Sequence, residues 1–235
     1  MADFAAQALK RVLIPVAALL GVMIALGMLV TRVLTHTWPL TVEDSVSREL
    51  ERDRTHDLSM ISLVFSTLAS TPAIIAVAVL AAIALRLVLK RWRESIFLCT
   101  AVCAQALIFF LTTLMIDRRR PDVEHMDASP PTSSFPSGHT SAAVALYLGL
   151  AVILVRLTDR TRLKAACWLL LLVPIGVALS RMYRGMHHPT DVIASILNGG
   201  VCVWVMARSI LDEALIRPRT ALSPATTARR SRPGR

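Results

Sequence analysis

Three short segments of this chain carry the residue types that could act together on a charged group. They are Arg120-Pro121, then Pro136-Ser137-Gly138-His139, then Ser180-Arg181 followed by His187 and Asp191. A helix opening at Ser137 and Gly138 would offer free N–H groups and the positive end of its dipole to an anion, and glycine lets the backbone come close to that anion. His139, in the first turn, would stand beside a bound phosphate, suited to protonate a leaving oxygen and later to take a proton from water. Arg120 and Arg181 bring planar forks of donors that match phosphate oxygens in pairs. His187 and Asp191 are four residues apart, and Pro189 fits the first position of a helix between them. The carboxylate is expected to bond one ring nitrogen of His187, fix its tautomer and leave the other nitrogen as a nucleophile. His188, three residues from Asp191, is expected to point elsewhere. Singly, each segment also reads as a plain helix cap or an interfacial arginine; the combination is what selects phosphate chemistry.

Each segment lies at the end of a long apolar run. The chain has 235 residues, is 54% hydrophobic and has a mean hydropathy of +0.58. The apolar residues come in blocks rather than amphipathic stripes, and a spanning helix needs about 20 of them. Blocks at 12–30, 58–85, 95–116, 137–155, 165–180 and 192–207 predict an all-α fold, a polytopic membrane helix bundle with six transmembrane helices. The second block is long enough to tilt or to include an entry segment. The first is longer than the core of a signal peptide and reads as a retained helix. One domain is expected over residues 1–216, and a basic, Pro/Ser/Thr/Ala-rich disordered tail over 217–235.

A formal net charge of +10 raises nucleic acid as a partner. The basic residues, however, are not accompanied by stacking aromatics, and they sort by position, so no nucleic-acid binding is expected. With a cytoplasmic N-terminus and six spans, most of the 26 basic residues fall on the inner side and few of the 16 acids do, which is the positive-inside pattern. Both termini are then cytoplasmic in a multi-pass protein of the plasma membrane. All three polar segments emerge on the outer face, in contact with membrane lipids. Residues 43–54 could form a short amphipathic helix lying on that surface. His36 and His56 read as outer-surface residues, and Glu124, His125 and Asp127 as a solvated loop. Tyr183 and Arg184, close to Arg181 in sequence, are expected at the pocket. Cys99, Cys103, Cys167 and Cys202 all sit in apolar blocks and read as small buried hydrophobes.

Taken together the segments read Arg-Pro, Pro-Ser-Gly-His and Ser-Arg-x5-His-x3-Asp. This resembles the type 2 phosphatidic acid phosphatase superfamily of membrane lipid phosphatases, whose site is shared with bacterial acid phosphatases, glucose-6-phosphatase and vanadium haloperoxidases. The resemblance covers residues 113–191 and the six-span plan. It implies His187 as the nucleophile that forms a phosphohistidine, Asp191 as its orienter and His139 as acid and base. It implies Arg120, Ser137, Gly138 and Arg181 as holders of the phosphoryl oxygens, with no metal and no other cofactor. One position departs: the family has a lysine seven residues before the arginine of Arg-Pro, and here that residue is Thr113. Arg118 or Arg119 is the expected substitute for the missing charge. The substrate class implied is a lipid phosphate or diphosphate, such as phosphatidic acid, phosphatidylglycerol phosphate or a polyprenyl diphosphate, with a lean toward the last. The rivals are a non-catalytic lipid-phosphate binding or transport protein and a vanadate-dependent oxidase.

Overall fold

Inside hydrocarbon no water is present to bond N–H and C=O groups, so uncharged blocks must satisfy them internally as helices. Six helices long and apolar enough to cross a membrane stand in the computed structural model, which describes residues 2–34, 37–38, 40–128 and 131–212. Helix α1 starts at Ala2, and its spanning part is Lys10–Val33. The others are α4 (Thr71–Leu89), α5 (Arg93–Met115), α6 (Gly138–Leu157), α7 (Thr161–Tyr183) and α8 (Pro189–Leu211). Two shorter helices, α2 (Glu43–Arg52) and α3 (His56–Leu68), lie between α1 and α4. No strand occurs among the described residues. His36 and the tail at 217–235 fall outside them.

The second apolar block is two helices rather than one. Helix α3 ends at Leu68, Ser70 is extended, and Pro72 sits in the first turn of α4, where its missing N–H costs nothing. Helix α3 lies along α7. The Ser180 hydroxyl donates to the Ser62 carbonyl at 2.6 Å, and the Phe65 ring occupies the space a side chain at Gly176 would need. Leu58, Ile61 and Val64 remain on its open face, as suits a lipid-facing helix.

Helices α5, α6 and α8 form the centre of the bundle, with α1 and α4 packed on α5. Phe97, Leu98, Leu146, Ile153 and Val203 are buried there, and Met23, Ile108 and Phe135 form a second cluster nearer the site. Lipid tails are as apolar as these side chains, so association in the membrane rests on close packing and interhelical hydrogen bonds. Gly199 of α8 illustrates the packing, since a Cβ there would come within 2.7 Å of the Ser141 carbonyl oxygen on α6. The Ser95 hydroxyl, donating to the Ala82 carbonyl at 2.7 Å, ties α5 to α4.

The loops sort to the two ends of the bundle. At one end are the basic clusters Arg86–Arg93 and Arg156–Lys164, with the Arg93 side chain donating to the Ile210 carbonyl at 2.9 Å and Arg156 pairing with Asp212 at 2.9 Å. At the other end all three polar segments come together. Here residues 117–120 run beside 133–135: Ser134 N–H donates to the Arg118 carbonyl at 2.9 Å and the Ser134 hydroxyl to the Arg119 carbonyl at 3.0 Å. Helix α2 is not loose on a membrane surface. Glu43 is buried, accepting from the Thr190 N–H at 2.9 Å and from Arg118 at 2.6 Å, so α2 caps this end of the bundle.

Candidate active site

The α6 N-terminus forms as its sequence suggests. Ser137 is the N-cap, accepting from the Thr140 N–H at 3.4 Å, and the first-turn N–H groups of Gly138 and His139 have no helical partner by construction. Ser137 itself is fully buried behind the helix start. Its N–H donates to the Ser195 hydroxyl at 2.6 Å, and its own hydroxyl lies 3.0 Å from that of Thr140.

A cavity of about 970 Å³ lies against this helix start. Its polar end is walled by Gly138, His139, Arg120, Arg181, His187 and Asp127. Its other walls are the apolar faces of α4 and α5, including Ile74, Ile75, Ala106, Phe109 and Phe110. The two arginines approach from different elements. Arg120 donates to the Met186 carbonyl at 2.8 Å; Arg181 donates to the Ser66 hydroxyl at 2.8 Å and to Asp127 at 2.5 Å. The Nε of each is buried with no hydrogen-bond partner among the described residues. Two buried, unsatisfied guanidinium donors at one site are costly unless an anion takes them. A second, polar cavity of about 960 Å³, lined by Glu43, Asp44, Arg118, Arg119 and His188, shares Arg120 with the first.

His187 is buried, and its Nδ1 lies 2.7 Å from the Ser134 carbonyl oxygen. A carbonyl can only accept, so Nδ1 carries the proton and Nε2 keeps the lone pair. The Asp191 carboxylate is 3.9 Å from Nδ1, beyond a hydrogen bond. The orienting contact expected from Asp191 is therefore made by a backbone group. Asp191 instead accepts from the His188 N–H at 2.9 Å, lies 3.3 Å from the His188 Nδ1 and is ion-paired with Arg118. His188, expected to point away, is the ring that reaches it.

The chain belongs to the PAP2 superfamily. The family model matches residues 95–214, about half the chain and every motif residue from Arg120 to Asp191. The fold is similar to the crystal structure of the first transmembrane PAP2 type phosphatidylglycerolphosphate phosphatase from Bacillus subtilis, at 20% identity and a TM-score of 0.73, covering 87% of this chain and 98% of that one. It is also similar to LpxE of Aquifex aeolicus, at 21% identity and a TM-score of 0.56, covering 71% of this chain and 95% of that one. No curated protein matches the chain in sequence. The six-helix membrane bundle is thus a PAP2 phosphatase fold, and the chain is a phosphoric ester hydrolase of that family.

Electrostatics at this PAP2 site follow from burial. The His187 imidazole is pushed down to about 3, chiefly by desolvation; Asp191 pulls it up, while Arg181 and Arg120 add to the fall. Burial also lowers the Arg120 guanidinium, against the pull of Asp191. Burial alone would raise the Asp127 carboxyl, but Arg184 and Arg181 outweigh it and hold it low.

Several expectations need correction. Asp127 does not sit in a solvated loop; Arg181 and Arg184 draw it to the cavity. Arg118 cannot stand in for the family lysine, because Asp191, Glu43 and the Thr190 hydroxyl take its guanidinium. Arg119 is exposed and lines the polar cavity, not the site of His139 and His187. Thr113 is off the wall, its hydroxyl donating to the Phe110 carbonyl at 2.8 Å. Tyr183 and Arg184 also lie off the wall. Tyr183 OH accepts from the Thr55 N–H at 3.0 Å, and Arg184 spans Asp127, Ser62 and the Met126 carbonyl. Among the described residues no cluster of three or more His, Cys, Asp or Glu is placed to hold a metal ion.

Proposed function

We propose that this PAP2 protein is an integral membrane phosphatase that hydrolyses a lipid phosphomonoester or a polyprenyl diphosphate through a phosphohistidine. The observation that carries this reading is one cavity with two ends. His139, His187, Arg120 and Arg181 share the polar end, and an apolar groove between α4 and α5 continues from it.

The phosphoryl group sits against the Gly138 and His139 N–H groups and between the two arginines, whose unpaired Nε donors gain partners. His187 Nε2 attacks phosphorus in line, forming an N–P bond as the P–O bond to the lipid breaks. His139 gives its proton to the departing oxygen. Water then attacks the phosphohistidine with His139 as base, the N–P bond breaks, and inorganic phosphate is released. The burial of His187 favours its neutral form, which is the nucleophilic one. The Ser134 carbonyl holds the tautomer, and Asp191 acts by fixing the α8 start and the His188 backbone. The polar cavity sharing Arg120 gives water a way in and phosphate a way out. The basic clusters at the far end support an orientation with the site on the outer face of the plasma membrane and both termini cytoplasmic.

The test is phosphate release by purified protein in detergent with EDTA present. Phosphatidic acid, phosphatidylglycerol phosphate and a polyprenyl diphosphate are offered in parallel. Release that persists in EDTA and falls at least a thousandfold in a correctly folded His187→Ala variant supports the reading. Binding without release from any substrate moves the protein to a lipid-phosphate carrier. Halide oxidation on adding vanadate moves it to the oxidase chemistry.

A further inference from the structure

The end of the bundle away from His187 carries cations that the hydrolytic chemistry does not use. At the turn between α4 and α5, Arg91 is held by Glu94 at 2.7 Å, and Arg93 donates to the Ile210 carbonyl at 2.9 Å. The Arg86 and Lys90 side chains, one helical turn apart, make no hydrogen bond or ion pair among the described residues. Nor can the chain beyond Glu213 supply a counter-ion side chain, since residues 214–235 include no Asp or Glu.

Arg86 is not simply dissolved in water. Its Nε is buried without a partner, and its guanidinium lies over the Trp92 ring, 5.1 Å from the centroid. The ring holds the cation in place but supplies no acceptor oxygen. Lys90 is fixed by its backbone. Its N–H donates to the Arg86 carbonyl at 3.1 Å, and it ends α4 with a φ of 56°, a left-handed cap more usually filled by glycine. Two uncompensated charges are thus kept side by side at one helix end.

The surroundings indicate which anion fits. Val79, Ile83, Arg86 and Lys90 recur at helical spacing and share one face of α4, where Val79 and Ile83 are exposed. In a membrane that face meets acyl chains below and headgroups above. Trp92, exposed beside the cations, is a residue type enriched at that boundary. A cation partly stripped of water attracts an anion more strongly than one in bulk solvent. A phospholipid can lay a chain along Val79 and Ile83 and put its phosphate on the terminal nitrogens of Arg86 and the Lys90 ammonium. A soluble anion would use only the charged half of this surface. Arg160, at the same end, is exposed, has Asp159 beside it in sequence and has no ring over it.

We infer that Arg86, Lys90 and Trp92 form a headgroup site for an anionic phospholipid in the leaflet opposite the phosphoryl site. The site is separate from the His187 cavity and stands whether or not the phosphatase reading holds.

The experiment titrates purified protein in neutral detergent with phosphatidylglycerol or with phosphatidylcholine of the same chains, and counts retained lipid by native mass spectrometry. Phosphatidylglycerol is a phosphodiester, which the hydrolysis proposed above does not consume. Each cation near an anionic headgroup is worth about fivefold in affinity. Wild type should therefore prefer phosphatidylglycerol by about tenfold or more. Arg86→Gln and Lys90→Gln should each lower that ratio about three- to fivefold, and Arg160→Gln should leave it unchanged. An equal fall in Arg160→Gln would mean diffuse attraction to the basic end and would overturn the site. So would a ratio that survives Arg86→Gln and Lys90→Gln but falls in Arg120→Ala, because the lipid would then sit in the phosphoryl cavity. Displacement by excess inorganic phosphate would make the ligand a soluble anion and overturn it too. If Arg86→Gln fails to fold, Lys90→Gln against Arg160→Gln decides.

Discussion

Arg181 and Asp127 meet at 2.5 Å on the wall of the cavity assigned to the phosphoryl group. A carboxylate there competes with phosphate for the same guanidinium, and it also balances Arg184, which is buried as well. Asp127→Asn should therefore have two opposite effects. Inhibition by inorganic phosphate or vanadate should tighten several-fold, because Arg181 is released. Stability should fall by about 3 kcal/mol, because Arg184 loses its counter-ion. The Asp127 carboxyl is held low, so its stabilising contribution is present at neutral pH and is lost as pH falls through its folded value. The wild-type Tm should drop on acidification more steeply than that of the variant. Unchanged phosphate inhibition in Asp127→Asn would remove Asp127 from the site.

Because burial carries the His187 imidazole to about 3, the ring should stay neutral through the range where a free histidine protonates. Its contribution to stability is complete above the unfolded value of 6.5 and is lost progressively between there and about 3. Nitrogen-15 spectra of histidine-labelled protein in detergent should show one ring with its proton on Nδ1 that does not titrate between pH 8 and 5. That signal should vanish in His187→Ala. A titration midpoint near 6.5 would contradict the burial and the Ser134 contact together.

The spans were legible because absence of charge over a helix length leaves little alternative in a membrane. The meeting of the three segments at one end of the bundle was legible because each closes or opens an apolar run, and the cap at Ser137 because capping is local. What the sequence hid was non-local or carried by the backbone. The Ser134 carbonyl has no side-chain signature, so His187 was assigned the nearest carboxylate by spacing. Glu43 read as a surface acid because nothing local announces that Arg118, 75 residues later, will bury it. The break at Ser70 was readable from Thr71-Pro72, but the unbroken run of apolar residues outweighed it. Asp127 looked like solvated loop because its partners Arg181 and Arg184 arrive from another helix end.

The neighbours Arg118 and Arg119 should behave very differently. Removing Arg118 leaves Glu43 and Asp191 as buried carboxylates with no cation, which costs about 3–5 kcal/mol. It also frees the α8 start, so Arg118→Ala should lose both Tm and kcat. Arg119 is exposed, and Arg119→Ala should stay within about 0.5 kcal/mol and twofold in kcat/KM. Thermal unfolding and steady-state kinetics on the two single variants separate the cases. Equal losses would mean that Arg119 reaches the site after all.

Gly185 sets the turn that delivers His187. Its φ is +72°, and a Cβ there would stand 2.9 Å from the Glu124 carbonyl oxygen, a backbone atom with little room to yield. An alanine in the left-handed region costs about 1–2 kcal/mol before that contact is counted. The turn would have to shift, and His187 is only two residues on. A nucleophile displaced by about 1 Å loses on the order of a hundredfold in rate. Gly185→Ala should thus lower kcat far more than its modest loss in Tm implies. Gly200 provides the contrast: it lies within α8 with open space where a Cβ would go, so alanine there should raise stability by about 0.5–1 kcal/mol and leave kcat alone. A Gly185→Ala enzyme with wild-type kcat would show that the turn does not position the proposed nucleophile.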